Sequence, residues 1–181
     1  MQGSGIQTRL IHACHKALYR YWWSQRTTDD LPFEHRFDLA QTEELAPFIG
    51  IVEVTRKDSR LYLRHRYCGA EIVRQTGRDL TGLWFWEAHA GDELHRSHAN
   101  HVEVTALRRP ALSQEVLPLA EGGGVIYDRL LLPLIGDERL IEAIVHLPVF
   151  LGRNGSPLTL PAGNSEILTD RRTGTVRTIK A

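Results

Sequence analysis

The chain has little of what usually betrays a function on inspection. Only two cysteines, Cys14 and Cys68, occur in 181 residues, and they stand far apart. That excludes a disulfide framework and suits a reducing cytosol. No window approaches the ~20 apolar residues of a membrane helix. The opening MQGSGIQTRLIHACHK lacks the long apolar centre of a secretion signal. The expectation is a cytoplasmic protein with no membrane partner. Charge of one sign is also missing, because Lys plus Arg and Asp plus Glu both total 22. The whole-chain field therefore gives no reason to expect nucleic acid.

Motifs of catalysis are missing too. The glycines of RYCGAEIVRQTGRDLTG, at 69, 77 and 82, are too widely spaced to cradle a phosphate, and no lysine follows them. The serines in RNGSPL and GNSEI lack the Gly-x-Ser-x-Gly elbow. The acid pairs Asp29/Asp30 and Glu43/Glu44 sit where carboxylates cap helices more often than they catalyse. These absences predict no enzyme.

What is present is an ordinary globular composition, with 42% hydrophobic and 24% charged residues. This length suits one core with extensions. Three segments follow: 1–47 as N-terminal helix and connector, 48–150 as the main domain, and 151–181, rich in Gly, Pro, Ser and Thr, as a C-terminal extension.

Along the chain, Ile6, Leu10, Ala13, Ala17 and Tyr21 recur at helical spacing, with Leu18 and Trp22 beside them, predicting an amphipathic helix over 6–25. FIGIVEVT and RLYLRHRYCG read as strands, the second alternating with Leu61, Leu63, His65 and Tyr67 on one face. AEIVRQTG reads as a short helix stopped by Gly77, and a longer helix spans about 92–108 before Pro110. PALSQEVLPL, GGVIYDRLLLPLIG and ERLIEAIVHLPVF are three more strands joined by hairpin-length turns.

Two strands, then helices, then three strands imply an α+β domain with an antiparallel sheet. This order resembles a PAS domain. More closely, LYRYWWSQR, LPFEHRFD, LAPFIGIVEV, YLRHRYCGAEIVRQTGRDLTG and YDRLLLPL resemble the PAS-like family common in alphaproteobacterial proteins. The resemblance implies a five-stranded antiparallel sheet with helices on one face, plus the N-terminal helix, and a cavity between helices and sheet. It implies a module used to sense or to bind partners. The expectation is a stand-alone sensory or regulatory module that binds a small molecule or a protein partner, with a homodimer through the N-terminal helix and, since the remaining residues hold no output segment, signalling through a separate chain. The resemblance names no ligand.

Strand alternation and helix phase nominate Tyr67, Ile72, Trp84, His98, Val102 and Tyr127 for the cavity wall. Nine histidines are many for this length, and HRSHANH places His95 and His98 within the arc of Leu94, Val102, Thr105 and Ala106, with His101 at its edge. Some PAS domains hold haem through a histidine of the helix before the third strand, so the resemblance makes His98 or His95 a candidate iron ligand. Zinc shared with His89 is a weaker reading of the same residues, and a solvated histidine-rich helix is the plain one. The alternative in another class is a ligand-free homodimeric scaffold with a filled core, since large aromatics such as Trp22, Trp23, Trp84 and Trp86 are commonly core or interface.

Overall fold

A computed structural model describes residues 4–27, 30–119 and 123–158. The proposed 151–181 extension therefore falls mostly outside the described residues, as does Asp29.

Two helices open the chain, α1 (Ser4–Gln7) and α2 (Ala13–Ser24), where periodicity alone predicts one. The break lies just before His12, which is buried and bonded through Nε2 to Asp128 Oδ2 at 2.7 Å. The buried stripe of α2 is Cys14, His15, Leu18, Tyr19 and Trp22, rotated from the predicted one because the histidines turn inward. A 3₁₀ segment, Leu39–Phe48, leads into the hairpin of β1 (Gly50–Lys57) and β2 (Arg60–Cys68). Its turn residues Asp58 and Ser59 both have positive φ, 50° and 60°, the backbone twist that a two-residue hairpin needs.

Three helices follow: α3 (Ala70–Thr76), α4 (Phe85–Ala88) and α5 (Gly91–Leu107). Gly77 stops α3 in the left-handed conformation at φ 72°. Gly69 has a different reason to be glycine, because a Cβ there would stand 2.3 Å from the Pro47 carbonyl oxygen. Strands β3 (Ala111–Pro118), β4 (Gly124–Ile135) and β5 (Ile141–Phe150) complete a five-stranded antiparallel sheet of order β2-β1-β5-β4-β3.

In β4 and β5 nearly every residue is buried. Such runs mean that both faces are covered. Helix α5 packs over one face of β3 and β4, and α2 over the other. Antiparallel partners share a face, so the register assigns one side to Cys68, Gly50, His146, Arg129 and Tyr127, and the other to Ile51, Val145, Asp128 and Leu130. The first side is the inner face, under α3 to α5. The second, under α2, is the outer face.

One irregularity matters for the site. The register of β1 on β2 slips between Ile51 and Val52, so that Val52 faces His65, Ile51 faces Tyr67, and Arg66 is the extra residue. Such a bulge moves every later side chain to the opposite face. His65 therefore stays on the inner face, Tyr67 turns to the outer one, and Cys68 takes the place that unbroken alternation would have given Tyr67.

Candidate functional site

Between the inner face and the helices lies a cavity of about 130 Å³. Its apolar wall includes Ile72, Leu80, Leu117, Pro148 and Phe150, and its polar wall His65, His89, Tyr127, Arg129 and His146. Each sheet strand except β1 contributes at least one lining residue, because the strands present alternate side chains inward.

The charged end is built on β3 and β4. Arg129 and Glu115, both buried, form an ion pair. Ser113 Oγ (2.7 Å), Asn100 Nδ2 (3.1 Å) and Tyr127 Oη (3.1 Å) also donate to the Glu115 carboxylate. Burial alone would raise the Glu115 pKa, but Arg129 and these donors outweigh it and hold the carboxyl below its ordinary value. Arg129 Nη1 donates to Ser97 Oγ at 3.1 Å, while its Nε–H has no partner.

Beside this pair stand four histidines. His65 stacks on Phe85 at 4.8 Å between ring centroids and meets His89 Nε2 to Nε2 at 3.0 Å. His89 Nδ1 in turn lies 2.9 Å from Glu93 Oε1. His101 donates from Nδ1 to the Ser97 carbonyl oxygen at 2.7 Å, since a carbonyl only accepts, and its Nε2 is buried without a partner. His146 lies over Gly50, where a Cβ would stand 2.1 Å from Nε2, and its Nδ1 has no partner either. Burial, reinforced by neighbouring positive or imidazole charge, depresses His65, His101 and His146. His65 falls to about 3, mainly by desolvation and then through His89 and Arg129. His101 and His146 lie well below the ordinary value, again by desolvation first and Arg129 second. At neutral pH all three are neutral imidazoles.

The sequence-nominated wall residues divide. Ile72 and Tyr127 line the cavity. Tyr67 is carried to the outer face by the bulge, where its hydroxyl donates to the Ala46 carbonyl oxygen at 3.3 Å. Trp84 stacks on Trp86 at 5.0 Å, under Arg64 and beside Tyr62, at the outside of β2. His98 and Val102 are half-buried and His95 is exposed, and none of the three lines the cavity. The phase of α5 is set by Ser97, His101, Val104 and Thr105, which are buried, so His101 rather than His98 turns inward. The haem candidates His98 and His95 are thus placed away from the cavity. Among the described residues no group of three or more His, Cys, Asp or Glu side chains is arranged to hold a metal ion.

Sequence reasoning did not place His65, His89, Arg129 or His146 in the cavity wall, and named His89 only as a possible zinc partner. The signal for two of them was legible. Arg129 interrupts a strand that is otherwise apolar from Leu130 onward, and His146 stands in the middle of IVHLPVF. A charged or titratable residue in such a run is buried and must be paired, or serves a site.

Across the sheet, α2 is held by a second polar set. His12 bonds Asp128, which also accepts from Gln114 Nε2 at 2.8 Å. His15 Nε2 donates to the Leu147 carbonyl oxygen and Trp22 Nε1 to the Pro133 carbonyl oxygen, both at 2.9 Å.

No protein-family model and no curated protein matches the sequence. Solved structures similar to it include a LOV protein of Rhodobacter sphaeroides, at TM-score 0.47 and 20% identity over 72% of this chain and 73% of that one. An RNA-binding light-oxygen-voltage receptor is similar at TM-score 0.45 and 17% identity, over 68% and 36% of the two chains. The dark structure of the Aureochrome1 LOV photoreceptor is similar at TM-score 0.45 and 9% identity, over 71% and 91%. Likeness at this level carries no statement about what this chain binds. The chain's own architecture, a five-stranded antiparallel sheet of order β2-β1-β5-β4-β3 with α3 to α5 enclosing a cavity on one face, is that of a PAS-like α+β fold.

Proposed function

We propose that the protein is a sensory module that binds a small molecule in the inner cavity and reports occupancy through α2, without catalysing a reaction. The observation that carries this reading is the adjacency of the two polar sets along the same strands. Arg129 and His146 line the cavity, while the next-door Asp128 and the Leu147 carbonyl hold His12 and His15 of the N-terminal helical region. Successive residues of a strand face opposite sides. A ligand that moves Arg129 or His146 therefore acts directly on the backbone that seats α2. Such a ligand shifts the docked-to-undocked equilibrium only by as much as its affinity differs between the two states.

The test is retention of a ligand. Protein purified from its host and measured by native mass spectrometry should carry a small molecule that is absent from Ile72→Trp, which fills the cavity. Hydrogen exchange in α2 should slow or quicken with occupancy. A clean apo mass together with no response of α2 to any ring-sized fragment sinks the proposal.

A specific observation also favours the scaffold reading. Ile11 and Trp23 are each 38% exposed, beside or on α2, with Trp23 stacked on Tyr19 at 5.8 Å and under the Arg26 guanidinium. A homodimer joined through that surface would cover them. Light scattering of wild type against Trp23→Glu decides it, the variant shifting to half the mass if the surface joins two copies.

A further inference from the structure

The cavity's chemistry narrows what it accepts. Its volume is about 130 Å³. An apolar cavity of ~150 Å³ takes a benzene ring, so this one has room for a single ring and few substituents. A wall of Ile72, Leu80, Leu117, Pro148 and Phe150 suits the ring. The other end demands polar partners. Arg129 and His146 are both at most 7% exposed and both line the cavity, yet Arg129 Nε–H and His146 Nδ1 have no hydrogen-bond partner. Buried groups left this way cost free energy until something satisfies them.

Charge then selects among polar ligands. A cation would meet the Arg129 guanidinium, and its countercharge Glu115 is already occupied by Arg129, Ser113, Asn100 and Tyr127. A neutral polar ring adds no countercharge when it accepts a charge-assisted bond from Arg129. An anion adds that countercharge, and it also changes the state of the rings around it. The groups facing His146 are Arg129 from β4, His65 from β2, His89 beside α4 and His101 from α5, and among the described residues no carboxylate is hydrogen-bonded to it. Arg129, and the other rings once charged, oppose protonation of His146, whereas an anion would favour it.

We propose, building on the sensing role above, that the cavity takes a weak acid of single-ring size as its anion, with its carboxylate or equivalent oxygens between Arg129 and His146. Binding draws one proton from bulk water onto the His146 imidazole, where an N–H bond forms, and no other covalent bond changes. Anion and proton enter together, so the buried end gains no net charge. Glu93 and Arg78, which also line the cavity, stay outside this exchange.

The experiment is titration calorimetry with benzoate as probe, in buffers of differing ionisation enthalpy, with benzamide as the neutral comparator. Wild type should take up about one proton per benzoate, and affinity should weaken by about tenfold per pH unit across roughly pH 6–8, where an imidazole titrates. His146→Gln, which keeps a polar side chain at the site, should lose the proton uptake and flatten the pH dependence. Benzamide binding as tightly as benzoate, or benzoate binding with no proton uptake, overturns the weak-acid proposal and leaves the sensing role standing. Should neither probe nor a panel of ring-sized fragments move the NMR signals of the Ile72 methyls and the Tyr127 ring, both fall. The wild-type measurements need no variant, so a poorly folding His146→Gln does not blunt the test.

Discussion

The two faces of the sheet use the same residue type to opposite ends. On the outer face, His12 and His15 each spend a ring nitrogen on a partner across more than a hundred residues of sequence, Asp128 and the Leu147 carbonyl. Neither of them lines the inner cavity. On the inner face, His65, His89 and His146 line a cavity; a free ring nitrogen is common to both faces, on His101 and His146 here and on His15 across the sheet, but only here does a histidine with one open onto a cavity. Histidine is a lock where the packing brings it an acceptor, and a receptor where the packing leaves a space. The difference is made by neighbours and not by the residue.

The largest effect should come from the inner ion pair. Glu115→Ala strands Arg129 in the interior and should cost about 3–5 kcal/mol, measured by urea denaturation. Asp128→Ala on the outer face leaves His12 without its acceptor and should cost about 1–3 kcal/mol, with faster hydrogen exchange in α2. If Asp128→Ala proves the costlier, the outer contact anchors the fold and the comparison is inverted.

Acid should separate the buried histidines of both faces from the buried carboxylates of both faces. His15, His65, His101 and His146 all have folded pKa values below the ordinary 6.5, so the unfolded chain binds more protons between those limits. Stability is then fully present above about pH 6.5 and falls as pH drops towards the folded values, at up to about 1.4 kcal/mol per pH unit for each histidine. Asp128 and Glu115 have depressed folded pKa values, despite the opposing effect of burial, because of hydrogen bonds from His12 and Gln114 in one case and Arg129 in the other. Their contribution holds until lower pH, being lost as pH falls through values below about 4. Urea midpoints taken across this range should show two stages of loss. His146→Gln should reduce the first stage by about one histidine's worth, and a stability that stays flat from neutral pH to about 5 would rule out the neutral buried cluster.

A smaller effect sharpens the assignment of faces. Tyr67→Phe removes a single 3.3 Å hydrogen bond and should cost at most about 1 kcal/mol, with no change in the NMR signals of Ile72 and Tyr127. If those signals move, Tyr67 reaches the cavity and the bulge is misplaced. Smallest of all, Trp86→Ala, at a position 53% exposed, should change stability by no more than about 0.5 kcal/mol.

Much of this was legible in the chain itself. Gly77 stops the short helix as the sequence indicates, and in the loop after it Arg78 donates to the Glu87 carbonyl while Asp79 accepts from the Thr81 amide. Ile72 and Tyr127, which helix phase and strand alternation nominate for the wall, do line the cavity. Tyr67 was not placed correctly, because a bulge is one unpaired residue with no composition of its own, and only pairing with β1 reveals it. His98 and His101 differ by less than one helical turn, so hydrophobic periodicity cannot choose between them when the inward face of α5 is itself polar, with Ser97 and His101 buried.

The sequence by itself determined the order of elements and the antiparallel class of the sheet, since these follow from local period and turn residues. The tertiary structure alone decided which histidines meet and which of their ring nitrogens stay unpartnered. His65 from β2, His89 beside α4, His101 from α5 and His146 from β5 come together only when the sheet closes in its non-sequential order. A pKa and a free hydrogen-bonding atom depend on what stands a few ångströms away in space, and no spacing along the chain contains that distance.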